Sequence, residues 1–229
     1  MKAILLAALL AYVPTPASLL KRAASRTSNL GKTREVTLAG TVTVKDRGSQ
    51  GAELTLHFPL SCKLEADGGL SLSVKGTVPR PSGTAEGTTG PALELLTLAC
   101  PLIAYRGLPA NEAEEALRMA AQGVGADVAA GGGALARLGD RVVYVLGAQA
   151  HDLTRPQLWI YKDSNAPARL IAQNGADLRL LEYGNPAAAD WFPRVIELWE
   201  GGQLTARFEV LEARGVRGAG AEEEDDSGQ

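Results

Sequence analysis

The stretch RVVYVLGAQAHDLTRPQLWIYK, residues 141–162, sets two short runs rich in β-branched and aromatic residues on either side of a polar loop. Residues 141–147 and 157–162 therefore read as strands. The pattern continues toward the C-terminus. DSNAP at 163–167 is a turn, 168–173 is a strand, and Asn174-Gly175 is a strong hairpin signal. Residues 177–183 follow, then a loop through Asn185-Pro186, then 192–200 and 203–213 paired around Gly201-Gly202. Turns recur every 8–12 residues with no strand–helix–strand rhythm, so the segment predicts an antiparallel meander.

Toward the N-terminus the same period appears. In REVTLAGTVTVK, residues 34–45, Val36, Leu38, Val42 and Val44 share one parity, and Thr37, Ala39, Thr41 and Thr43 the other. After a turn at 46–51, Leu54, Leu56, Phe58, Leu60, Cys62 and Leu64 alternate through Pro59, which marks an edge or a bend. Asp67-Gly68-Gly69 turns the chain into Leu70, Leu72 and Val74. Residues 93–105, around Cys100 and Pro101, also have strand-like composition. Two helices are predicted. Residues 18–29 carry Leu19, Leu20, Ala23 and Ala24 at helical spacing, and residues 111–122 start at Asn111 as an N-cap with acidic residues in the first turn. The Pro/Gly-rich segment 79–90 is predicted to be a mobile loop. AAGGGA at 129–134 is a flexible connection without the spacing of a phosphate loop.

Hydrophobic residues make up 45% and charged residues 21% of the 229 residues, which excludes a disordered chain, a collagen-like repeat and a multi-span membrane protein. The net charge of −3 comes from the run Glu222–Asp226; without it, 23 basic residues face 21 acidic ones. A body so near neutrality gives no electrostatic basis for nucleic-acid binding. Residues 3–13, AILLAALLAYV, follow Lys2 and span about 17 Å as a helix, short of the roughly 30 Å hydrocarbon core. They predict a signal-peptide core cleaved after Ala17, a buried N-terminal helix being the other reading. The expected organisation is a signal peptide over 1–17, one domain over 18–213, and a disordered acidic tail over 214–229. The expected location is the periplasm.

Little chemistry is on offer. The two histidines, His57 and His151, and the two cysteines, Cys62 and Cys100, are too few for a Cys/His zinc module, and no metal-ligand spacing or cofactor motif appears. There is no G-x-S-x-G elbow. Glu182, Asp190, Glu197 and Glu200 are scattered among strands and read as charged rims, and Trp159 and Trp199 as core packing. No catalytic residue is expected. In an oxidising compartment Cys62 and Cys100 are either a disulfide or two buried thiols; a bond would contribute roughly 4 kcal/mol by loop closure.

The remaining signal is excess apolar surface. Several strands are apolar on both parities, and two short helices cannot cover a sheet of about ten strands. Either the sheet curves around a cavity, or it closes as a packed sandwich. Here a resemblance enters. The segment YVLG at 144–147 followed by QLWIYKDSNAPARL at 157–170, and the closing WFPRVIELW at 191–199 with LTARF at 204–208, resemble the LolA-like lipoprotein-sorting superfamily. The resemblance covers 140–212 well and 18–44 weakly. It implies a mainly β fold with α: a strongly curved antiparallel half-barrel of about 10–11 strands, its concave face covered by helices. It also implies a carrier that shields lipid acyl chains, or the lipid-modified end of lipoproteins, between an inner-membrane donor and an outer-membrane acceptor. The alternative is a half-barrel sensor or structural domain that binds a protein partner. On alternation, Val36, Leu38, Val42, Leu54, Leu56, Phe58, Leu70, Leu72, Leu158, Ile160 and Phe208 are expected to line the groove, with Gly123, Gly125 and Gly131–Gly133 as hinges.

Overall fold

The computed structural model describes residues 14–25, 33–76, 82–83, 90–106, 108–129, 133–184 and 192–217. The expected signal-peptide core, most of the 79–90 loop, Gly131 and Gly132, Asp190 and the acidic tail from 218 lie outside the described residues. The chain begins with α1 (Pro16–Ser25), then β1 (Thr33–Val44), β2 (Gly48–His57), β3 (Ser61–Ala66), β4 (Leu70–Lys75) and the two-residue β5 (Ser82–Gly83). Two helices follow, α2 (Pro91–Ile103) and α3 (Ala110–Gly123). The second half is β6 (Ala134–Leu138), β7 (Arg141–Leu146), β8 (Gln157–Tyr161), β9 (Pro167–Ile171), β10 (Asp177–Tyr183), β11 (Pro193–Glu200) and β12 (Gln203–Arg217).

All the strands among the described residues belong to one antiparallel sheet in the order β5-β4-β3-β2-β1-β12-β11-β10-β9-β8-β7-β6. It is curved and not closed: eleven full strands and the two-residue β5, a half-barrel as expected. Neighbours in the sheet are neighbours in sequence everywhere except at β1–β12, where Val42 faces Phe208 and Leu38 faces Ala213. The register aligns apolar residues in rows. Leu38, Leu54, Leu64 and Leu72 form one across β1–β4, and Leu158, Leu170, Leu178 and Leu198 another across β8–β11.

Residues 93–105 correct the sequence reading. They form most of a helix, not a strand. Pro91 opens α2 at a position where its missing N–H is not needed, and Pro101 sits in the last turn. Ala92, Leu95, Leu96, Leu98, Ala99, Cys100, Pro101, Leu102 and Ile103 are all buried. A helix so largely apolar belongs in a core, and a run interrupted only by Glu94 and Thr97 hides the helical period. A second correction concerns Pro59. The run 54–64 is two strands, joined by a turn at 58–60 with a cis Phe58–Pro59 bond. At its C-terminal end β12 continues to Arg217, past residue 213, still paired with β1.

The two halves of the sheet differ on the convex side. In β1–β4 burial alternates, and Thr37, Thr55, Lys63 and Ser73 face outward half-exposed. In β8 and β9 every residue is buried. There a second small cluster of Val143, Val145, Trp159, Tyr161, Ala166 and Ala168 lies on the convex side. Beside it runs a ladder of rings and charges. The Arg169 guanidinium stacks 4.5 Å from the Trp159 ring centroid and grips Asp177 with two 2.6 Å hydrogen bonds. Arg179 donates to the same Asp177 and stacks 4.4 Å from Trp199. The Trp199 indole N–H donates to Glu197, which also accepts from Arg207, both at 2.9 Å. Stacked arginines shield the indole faces while their charges stay paired.

Candidate functional site: the concave face and its helices

The residues named from alternation converge on one surface. Val36, Leu38 and Val42 come from β1, Leu54 and Leu56 from β2, Leu70 and Leu72 from β4, Leu158 and Ile160 from β8, and Phe208 from β12. All ten are buried in the main core; Phe58, in the turn after β2, packs against it half-buried. Register adds members that the reading of single strands passed over: Cys62, Leu64, Val74, Leu178, Leu180, Ile196 and Leu198. Their parity relative to named neighbours was the available signal.

The concave face is occupied by the protein's own helices. α2 crosses it, packing on β3 and β4 at one side and on β9 to β12 at the other. α1 and α3 form an outer layer, packed chiefly on each other. The two layers differ in substance. α2 buries Leu95, Leu96, Leu98, Leu102 and Ile103, about 10 kcal/mol of gross apolar burial. α1 and α3 bury three leucines, Leu19, Leu20 and Leu117, about 6 kcal/mol, and otherwise mostly alanines.

α2 is tied down along its length. Cys100 is bonded to Cys62 of β3, with Cα atoms 5.8 Å apart; of the two readings of the cysteines, the disulfide is the one formed. The Leu60 N–H donates to the Ala104 carbonyl at 2.9 Å, and the Asn174 amide to Glu94 at 2.8 Å. At the α2 C-terminus a polar group enters the core. Arg106 is fully buried and lies 4.7 Å from the Phe192 ring centroid; burial pulls its pKa down. Burial likewise pushes up the phenols of Tyr105 and Tyr183, the former donating to the Ala23 carbonyl of α1 at 3.4 Å. At the end of α3, Gly125 has φ +91° and stands where a Cβ would come within 3.1 Å of Gln173. The Gln173 N–H donates to the Val124 carbonyl at 2.9 Å, securing that end of α3 to the sheet.

The other polar candidates lie elsewhere. His57 is exposed, 2.9 Å from Glu35, and His151 is exposed in a turn. Glu197, expected on a rim, is buried within the ladder, and the two tryptophans stack under arginines on the convex side. Among the described residues no group of three His, Cys, Asp or Glu could hold a metal ion, and no helix is long and apolar enough to cross a membrane. An open depression of about 540 Å³ lies among β1–β3 and β12 and is rimmed by Glu53, Glu65, Asp67 and Glu212. Carboxylates on its rim make it a poor seat for an acyl chain.

No family model and no curated protein matches the chain. Solved structures do. A domain assigned to outer membrane lipoprotein sorting, from Vibrio parahaemolyticus, is 12% identical with a TM-score of 0.52 over 90% of this chain and 94% of that one. A LolA superfamily protein from Nitrosomonas europaea is 12% identical with a TM-score of 0.46, over 88% and 93%. With the open, curved sheet and the helices in its hollow, the likeness to the Vibrio domain shows that this chain has a LolA-like fold.

Proposed function

We propose that the protein is a non-catalytic periplasmic carrier, exported by a signal peptide cleaved after Ala17. It holds lipid acyl chains, or the lipid-modified end of a lipoprotein, in the helix-covered hydrophobic hollow of its half-barrel on the way to the outer membrane. An inner-membrane donor would load it and an outer-membrane acceptor unload it. The observation that carries this reading is the continuous apolar wall of the half-barrel, covered by helices rather than by a second sheet. Burying a dozen methylenes contributes about 10 kcal/mol, of the same order as the apolar burial held by the leucines and alanines of the outer helices.

The filled interior favours a second reading, in which the half-barrel needs no guest and its outer surface binds a protein. Native mass spectrometry of protein purified from a lipid-containing host, with uptake of a fluorescent palmitic-acid analogue, decides between them. A co-purifying lipid mass and saturable uptake support the carrier. An empty protein that takes up no probe overturns it.

A further inference from the structure

We propose that α2 is a fixed inner wall and not part of the moving lid, so that cargo enters between α2 and the α1–α3 layer. This rests on the carrier reading, but it concerns which helices move and is testable without cargo. The argument is one of attachment. The Cys62–Cys100 bond fastens the C-terminal half of α2 to β3, and the Leu60–Ala104 backbone hydrogen bond reinforces it there. Asn174, in the β9–β10 turn, holds Glu94 near the other end of α2. The helix is thus fastened to both sides of the hollow, and apart from the half-buried Glu94 and Thr97 its side chains are apolar. Swinging it clear would require breaking a covalent bond and wetting Leu95, Leu96, Leu98, Leu102 and Ile103.

The α1–α3 layer has none of that covalent anchorage. Its internal contacts are largely alanine, its C-terminal attachment is the Val124–Gln173 backbone hydrogen bond beside Gly125, and α1 meets Tyr105 through one long hydrogen bond. Parting it from α2 uncovers the upper side of an apolar helix that is already seated on the wall. The guest then lies along α2 rather than in its place.

Hydrogen–deuterium exchange of the oxidised, cargo-free protein tests the proposal. The slowest amides of α1 and α3 are expected to exchange about tenfold or more faster than those of α2. Equal rates in all three helices overturn it. Reducing the folded protein with dithiothreitol gives two thiols as the reagent closes to its own cyclic disulfide, and is expected to bring α2 exchange toward that of α3. If α2 stays as protected as before, the disulfide is not what fixes it. The Cys62→Ser, Cys100→Ser double variant gives the same comparison without reductant. Uptake of the palmitic-acid analogue is read separately: no uptake sinks the carrier reading and leaves the ranking of the helices as measured.

Discussion

The first and last thirds of the sheet solve the same problem differently. β1–β4 bury one face and wet the other, so their outward positions are threonine, serine, lysine and glutamate. β7–β9 bury both faces, although the helices cover only the concave one. The convex side there is roofed by its own side chains: Arg141 lies 3.9 Å from the Tyr161 ring centroid and Arg169 over Trp159. A sheet face without a second layer is thus sealed by arginine stems whose charges stay paired on Asp163 and Asp177.

The comparison breaks most readily at Trp159. It is nearly buried on the convex side, so Trp159→Ala is expected to cost about 3–5 kcal/mol in urea unfolding, the magnitude of a core position. A loss under about 1 kcal/mol would make the roof ornamental. Next comes Asp177→Ala, which leaves the almost buried Arg169 without its carboxylate and should cost about 3 kcal/mol. The matching Asp177→Asn variant retains the shape and should recover part of that.

A subtler probe is alkali. Burial raises the Tyr161 phenol to about 12, against 10 in the unfolded chain. The folded state therefore holds the proton more tightly. The associated stability is fully present below pH 10 and falls as pH rises through 12, by up to about 3 kcal/mol. Tyr161→Phe should flatten that part of the stability–pH curve while losing the hydrogen bond to the Leu180 carbonyl. An unchanged slope would mean that the ring is wetter than its packing indicates. Smallest of all is Thr55→Ala, on the outward side of β2, expected within about 0.5 kcal/mol of the parent. A larger cost there would show that the convex side of the first third is covered in solution.

These contrasts explain what the sequence disclosed. β1–β4 were legible because water on one side imposes alternation: Val36, Leu38 and Val42 stand out only against Thr37 and Thr41. The wall of the candidate site followed from the same parity. Its cover did not. Most of residues 93–103 meet apolar surroundings, so selection for burial blurs the period that separates helix from strand. The ladder was invisible for another reason. Arg169 and Asp177 are joined by the hairpin at Asn174-Gly175, whose turn was readable, but their side-chain pairing needs the register of three strands at once.

The β1–β12 seam has a consequence for how the chain is built. Every other strand pair zips between neighbours along the chain, whereas this one brings residue 33 to residue 217. Each half-sheet assembles from local hairpins, and the union waits for the longest loop closure in the molecule. Without β12 the wings β1–β5 and β6–β11 have no strand to join them. Deleting that strand would not trim a margin; it would split the sheet down the middle.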